Sequence, residues 1–146
     1  MMTSTTDMSD VSTLRLNLLR AVYLLIGLGM GFQVWPQIVT GSGDWVGSAG
    51  VVKGMLAALT LLCLLGVRHP LKMLPVLFWE LVWKTIWLLA VALPAWRSGT
   101  MDADIAENAF ACSLVVLVYA AIPWGYVLRQ YGLAAGDRWR TAASAV

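Results

Sequence analysis

Charged residues are scarce in this 146-residue chain, in which Lys, Arg, Asp and Glu make up 12% and hydrophobic residues 60%. Soluble domains carry about 25% charged residues, roughly double this share. So few charges cannot solvate a globule of this composition, which argues against a soluble enzyme, a disordered chain and a disulfide-rich secreted module. The net charge of +2 is too small, and the basic residues are too scattered, for a nucleic-acid-binding surface.

Cysteine and histidine are also rare, with two cysteines and one histidine in the whole chain. The cysteines form no CxxC pair, which argues against a thiol oxidoreductase. One histidine cannot supply a typical zinc set or the two ligands of a bis-histidine haem. P-loop, HExxH and GxSxG motifs are absent as well. We therefore expect no catalytic residues, no metal and no cofactor, and we favour a protein that is not an enzyme; a bound lipid, quinone or haem is left open.

What the chain has in abundance is long apolar runs. Four of them approach the roughly 20 residues that cross a bilayer core, and because they are continuous they predict helices rather than barrel strands. The predicted spans are residues 21–39 (with a start as early as Leu14 left open), 50–67, 73–96 and 105–128. The sequence thus predicts an all-α polytopic membrane protein: a short-looped bundle of four transmembrane helices over residues 14–129, with a polar leader at 1–13 and a C-terminal tail at 130–146.

Turn residues separate these spans at 40–44, at His69-Pro70 and at 97–100. Asp104 is the expected N-cap of the fourth helix. Pro36, Pro94 and Pro123 are expected near helix ends, where a kink or an early end is tolerated.

Lysine and arginine are distributed unevenly between the two sides of the predicted bundle. One side carries Arg15, Arg20, Arg68, Lys72, Arg129, Arg138 and Arg140, whereas the other carries Lys53 and Arg97 together with the acids Asp44, Asp102, Asp104 and Glu107. Because cationic flanks stay in the cytoplasm, both termini are predicted to be cytoplasmic. The first span lacks the pattern of a cleaved signal peptide, so we expect it to be retained.

Two ionisable residues fall inside the third predicted span. Counting about 1.5 Å per residue puts Lys84 about 2–3 Å from the middle of that helix and Glu80 about 8 Å to its cytoplasmic side. An ionisable group at such a depth costs about 2.5–3.5 kcal/mol on insertion scales. The two residues are four apart with the glutamate first, which is the favourable order for an intrahelical ion pair.

Two interpretations of this pair stay open. In the first, which the sequence favours, the charges neutralise each other and serve packing alone. In the second, they belong to a proton, ion or polar-ligand site within the membrane, which needs further polar side chains nearby. Thr60 and Tyr119, near the middle of their own spans, are the candidates for such a site. Additional polar candidates are Tyr23, Gln33, Asn108 and Ser113.

An aromatic stripe lies beside the pair, formed by Trp79, Trp83 and Trp87 at intervals of four residues. We favour packing or lipid contact for this stripe, because a buried indole N–H needs a partner on a protein face or at the interface. A cation–π contact with Lys84 is the alternative role.

Small residues form two further stripes. Gly27 and Gly31 lie on the first helix, and Gly50, Gly54 and Ala58 lie on the second. Such stripes let helices approach closely, either within a bundle or between protomers.

The two cysteines are predicted to be free thiols. Cys63 is placed near the inner end of the second helix and Cys112 in the outer half of the fourth, which separates them by about 15 Å in depth. A disulfide needs Cα atoms within about 7 Å.

The segment Leu19–Gly29 (LRAVYLLIGLG), together with the four short-looped spans, resembles the DoxX-like group of small bacterial membrane proteins. The segment Trp79–Lys84 (WELVWK) is similar to one in uncharacterised four-helix proteins of proteobacteria. These resemblances imply a bacterial inner-membrane protein, often an accessory to a larger system, and they bring no catalytic residues to this chain.

Two classes of function follow. The leading hypothesis is a non-catalytic, multi-pass accessory or assembly protein of the bacterial inner (cytoplasmic) membrane, whose partners are the lipid bilayer and either further copies of itself or a larger membrane protein. The alternative is a small oligomeric transporter or channel with Glu80 and Lys84 at a substrate or proton site. Four helices are few for a transporter, so the oligomer would supply the missing wall.

Overall fold

Four long helices follow one another between Ser12 and Ile122 in the computed structural model, which describes residues 11–43 and 45–136. They are α1 (Thr13–Thr40), α2 (Gly47–Arg68), α3 (Leu74–Ser98) and α4 (Ala103–Ala121). Each is long and apolar enough to cross a membrane. The prediction of an all-α protein with four helices of membrane-spanning length is confirmed, and this is the architecture of a multi-pass membrane protein.

The four helices pack around one another as a bundle. α1 has its most extensive contact with α2 and also contacts α4, while α3 contacts both α2 and α4. Each helix therefore lies between two neighbours, as short connections between antiparallel helices favour. The side chains that are completely buried between them are Leu19, Tyr23, Cys63, Leu74, Leu77, Glu80 and Ile122.

Glycines in the left-handed conformation follow two of the helices. Gly41 comes directly after α1 with φ 63°, and Gly99 comes directly after α3 with φ 69°. Glycine adopts this conformation without the steric cost of a Cβ atom. These positions explain why the predicted turns at residues 40–44 and 97–100 end the helices where they do.

Asp102, rather than Asp104, caps the start of α4. Its side-chain oxygen accepts a hydrogen bond from the backbone N–H of Ile105 over 2.7 Å, three residues into the helix. The prediction of Asp104 as the N-cap is therefore wrong by two residues. Asp104 lies within the first helical turn, where its negative charge still interacts favourably with the helix dipole.

A π-helical segment lies within α3. The helix consists of Leu74–Trp87 in α-helical form, Leu88–Ala92 in π-helical form and Leu93–Ser98 in α-helical form. Pro94 explains this widening, because its ring carries no N–H and clashes with the carbonyl four residues earlier in a regular α-helix. Pro36 and Pro94 lie near helix ends as expected, since α1 ends at Thr40 and α3 at Ser98, each four residues beyond its proline.

α4 ends well before the predicted span does. It runs as Ala103–Ser113 and Val115–Ala121, with a turn at Leu114 between the two segments. Ile122 has an extended backbone (φ −62°, ψ 126°), which is the conformation that a following proline imposes on the residue before it. Pro123 therefore stops the helix, and the prediction of a continuous span to residue 128 is corrected.

The other described residues, Val11 and 123–136, form a separate unit. In it a single helical turn, α5 (Trp124–Val127), leads into a π-helical segment at Leu128–Leu133. Much of the predicted leader (residues 1–10) and tail (residues 137–146, with Arg138 and Arg140) lies outside the described residues, as does Asp44.

Two arginines of α1 connect it to the ends of neighbouring helices. Arg15 Nη1 donates a hydrogen bond to the Ile122 carbonyl over 3.1 Å, and Arg20 Nε donates to the Val67 carbonyl over 3.3 Å. Both acceptors lie at the C-terminal end of a helix, where carbonyls lack partners and a cation is favourable. The start of α1 and the ends of α2 and α4 therefore meet at one end of the bundle.

Tyr23 completes this end of the bundle. Its side chain is fully buried, and its hydroxyl donates to the Pro70 carbonyl in the connection between α2 and α3 over 3.1 Å. Its ring packs against Gly66 of α2, at a place where a Cβ atom would overlap the ring. Tyr23 thus fixes the position of the α2–α3 connection.

Candidate functional site: a charged pair inside the bundle

Glu80 lies on the buried face of α3. It follows Val76 and Leu77 at helical spacing, and these three side chains are all buried in the bundle. Its Oε2 atom lies 3.2 Å from Lys84 Nζ, so the predicted intrahelical ion pair is formed. The Glu80 side chain has no exposed surface, and the Lys84 side chain is 12% exposed.

Trp83 binds both members of the pair. Its Nε1–H donates a hydrogen bond to Glu80 Oε2 over 3.1 Å, and Lys84 Nζ lies 5.6 Å from the centre of its ring. The cation–π contact with Lys84, which the sequence left open as the alternative role of the stripe, is therefore present for Trp83 at a distance typical of such contacts. The hydrogen bond to Glu80 was missed by the sequence reasoning, although the i, i+3 spacing places the two side chains on one face of the helix.

The second carboxylate oxygen of Glu80 has no partner. Oε1 is completely buried and makes no hydrogen bond, whereas both donors converge on Oε2. A buried polar group without a partner costs about 1–3 kcal/mol, and a charged group costs more. Within the described residues, only one of the two carboxylate oxygens of Glu80 therefore has hydrogen-bonding partners.

Cys63 of α2 and Cys112 of α4 approach the pair from two other helices. Both are buried and free, which confirms the prediction of free thiols. Each lies within electrostatic range of both Glu80 and Lys84. Neither thiol bonds to Glu80 Oε1, which has no hydrogen-bond partner among the described residues.

Thr60 and Tyr119, the two other predicted site residues, make hydrogen bonds elsewhere. The Thr60 hydroxyl donates to the Ala57 carbonyl over 2.7 Å and accepts from Trp35 Nε1 over 2.8 Å. Thr60 therefore links α2 to α1. The Tyr119 hydroxyl lies 3.2 Å from the Thr85 hydroxyl, which links α4 to α3 one residue beyond Lys84.

The additional polar candidates lie away from the pair or bond to nearby backbone. Gln33 is exposed, and Tyr23 bonds to the α2–α3 connection as described above. Asn108 Nδ2 donates to the Asp104 carbonyl, and the Ser113 hydroxyl donates to the Phe110 carbonyl. Each of these two bonds stays within about one turn of α4.

The other two tryptophans of the aromatic stripe are less closely tied to the pair. The Trp79 and Trp83 rings lie 6.1 Å apart with their planes tilted by 48°, and Trp79 is 39% exposed. Trp87 is partly exposed one turn beyond Lys84. Within the stripe, Trp83 is therefore the member that touches both charges.

The small residues divide into an inner and an outer group. A Cβ atom on Gly27 would lie 3.2 Å from Cys63 Cβ, and one on Gly31 would lie 4.0 Å from Thr60, so both glycines face α2. Gly50 lies directly against the Trp45 carbonyl of its own chain segment. The outer group is Gly54 and Ala58, which are exposed on the surface of α2.

No group of three or more His, Cys, Asp and Glu side chains that could hold a metal ion occurs within residues 11–43 and 45–136. Comparison with known protein families, with curated proteins and with solved structures finds no match to this chain. The site is therefore interpreted on its own geometry.

Proposed function

We propose that this chain is a multi-pass protein of the bacterial inner membrane, with both termini in the cytoplasm, in which Glu80 and Lys84 form the polar site of a small oligomeric transporter or channel. The observation that carries this proposal is the unpaired Oε1 atom of Glu80 inside the bundle. Ionisable residues within membrane helices are costly, and they commonly mark ion paths and proton relays.

The half-satisfied carboxylate distinguishes this proposal from a purely structural pair. A pair that serves packing alone is expected to have both oxygens satisfied, because partly satisfied buried polar groups are the costly ones. Here both donors, Lys84 Nζ and Trp83 Nε1, are within 3.2 Å of the same oxygen. Oε1 of Glu80 is therefore available to accept a hydrogen bond from a hydrogen-bond donor that is transported through the bundle or bound within it.

The burial of the pair within a single chain supports an oligomer. Glu80 has no exposed surface within the single chain, so one bundle by itself gives a solute no open route to Oε1. A second copy packed against α3 would complete a path beside Lys84, the more exposed member of the pair. We therefore propose that the working form contains more than one chain.

Proton flux into liposomes tests this proposal. The full chain is reconstituted into liposomes that contain a pH-sensitive dye, and flux is driven by a potassium diffusion potential. We expect flux above that of protein-free liposomes, its loss in Glu80→Gln, and its retention in Glu107→Gln, which makes the same chemical change at an exposed carboxylate of α4. Wild-type flux equal to that of protein-free liposomes would contradict proton transport.

A second candidate function is the accessory or assembly protein, which agrees with the DoxX-like resemblance. The observation that favours it is the outward position of Gly54 and Ala58, a small-residue surface that the bundle does not use. Purification from native membranes tests it: Gly54→Leu should abolish capture of a membrane partner. Gly29→Leu, at an exposed glycine of α1 that also has open space around it, should retain capture.

A further inference from the structure

One end of the bundle carries positive charge, and no acidic side chain of residues 11–43 and 45–136 lies at that end. Arg15 and Arg20 lie at the start of α1, Arg68 lies in the last turn of α2, and Lys72 lies in the connection to α3. We call these four residues the basic end. Among the described acids, Asp102, Asp104 and Glu107 lie at the opposite end of the bundle, and Glu80 is buried within it and paired with Lys84.

Two of the four cations are free to bind a ligand. Arg15 and Arg20 donate to helix-end carbonyls, which satisfies their hydrogen bonds in part, and neither forms an ion pair with an acid that the structure describes. Arg68 and Lys72 are exposed and make no hydrogen bond or ion pair within the described part of the chain. They lie four residues apart on either side of His69-Pro70, at the level where a membrane helix emerges from the lipid.

We propose that Arg68 and Lys72 bind the phosphate headgroup of an anionic phospholipid, with Arg15 and Arg20 adding to the positive potential at the site. Lipid phosphates surround the ends of membrane helices, and basic clusters at this depth attract anionic lipids. Arginine and lysine both bind phosphate through charge-assisted hydrogen bonds. The proposal does not depend on transport through Glu80.

Arg97 provides a matched control on the opposite end of the bundle. It is an exposed arginine in the last turn of α3, as Arg68 is an exposed arginine in the last turn of α2. The two residues differ in their neighbours, because Arg97 shares its end with the acids at the start of α4. A general effect of removing surface charge would lower lipid binding in both Arg68→Gln and Arg97→Gln. The loss of a specific lipid site would lower lipid binding in Arg68→Gln alone.

Native mass spectrometry of the full chain in detergent tests the proposal. The protein is titrated with phosphatidylglycerol and with phosphatidylcholine, and bound lipid is counted on wild type, Arg68→Gln, Lys72→Gln and Arg97→Gln. We expect preferential binding of phosphatidylglycerol, a loss of about fivefold in affinity for each of the first two variants, and no loss for Arg97→Gln. The melting temperature of each variant is measured first, so that a folding defect is recognised.

Three results would overturn the proposal. The first is equal binding of the two lipids, and the second is an equal loss of affinity in Arg68→Gln and Arg97→Gln. The third is displacement of bound phosphatidylglycerol by excess inorganic phosphate, because a lipid held partly by its acyl chains would stay bound. That third result would assign the site to free phosphate.

Discussion

Gly66 of α2 lies directly against the buried ring of Tyr23 of α1, so closely that a Cβ atom at Gly66 would overlap the ring. Since the Tyr23 hydroxyl also bonds to Pro70, the ring has little freedom to move away. Gly66→Ala should therefore destabilise the protein by about 1–3 kcal/mol, the usual cost of overpacking a tight core. Thermal unfolding in detergent measures this.

Gly54→Ala is the matched control for this prediction. Gly54 lies in the same helix, is exposed and has open space around it. Alanine is the better helix former by about 1 kcal/mol, so this variant should be neutral or slightly more stable. If the two alanine variants unfold at the same temperature, the close packing of Tyr23 on Gly66 is refuted.

Trp83→Phe should destabilise the protein more than Trp79→Phe does. Phenylalanine keeps most of the ring but removes the Nε1–H that bonds to Glu80, and a hydrogen bond to a charged group contributes about 1.5–3 kcal/mol. Trp79 makes no hydrogen bond through its indole within the described residues. The melting temperatures of the two variants provide the comparison, and a larger loss for Trp79→Phe would show that Trp83 does not hold the carboxylate.

Cys63 and Cys112 should resist labelling by maleimide in the folded protein and react after unfolding in SDS. Both side chains are buried, with exposed fractions of 0% and 6%, and neither forms a disulfide. Mass spectrometry counts the labels under non-reducing conditions. A Cys63–Cys112 crosslink, or rapid labelling of either thiol before unfolding, would contradict the structure.

The sequence was sufficient to predict the four helices, because the length and apolarity of a membrane-spanning segment can be read directly from the order of residues. It was also sufficient to predict the Glu80–Lys84 pair, because residues four apart lie on the same face of a helix. It did not predict the end of α4, since the effect of Pro123 depends on whether neighbouring groups re-satisfy the backbone. The choice of Asp102 over Asp104 as the cap depends on the entry angle of the chain.

The partners of Thr60 and Tyr119 were also beyond the sequence. Both residues are polar and central in their spans, but Thr60 is hydrogen-bonded to Trp35 and Tyr119 to Thr85. The unpaired oxygen of Glu80 depends on which side chains the packed helices bring to it. Local spacing predicts contacts within one helix, whereas contacts between helices require the packed bundle.

A reporter fused after Val146 should indicate a cytoplasmic C-terminus. The structure groups Arg15, Arg20, Arg68 and Lys72 at one end of the bundle, and such a cationic end stays in the cytoplasm. Green fluorescent protein should therefore fluoresce at this position, and alkaline phosphatase should be inactive. Active alkaline phosphatase with intact expression would contradict the proposed orientation.

The most direct test of the central claim, that the Glu80–Lys84 pair is a working site, is proton flux through the double variant Glu80→Gln/Lys84→Met in liposomes. Each single change strands one partner of the pair and should cost about 3–5 kcal/mol, whereas the double change removes both charges and should recover most of that stability. We predict a double variant that recovers most of the stability lost in the single variants and that conducts no protons. A stable double variant with wild-type flux would contradict the account and assign the pair to packing alone.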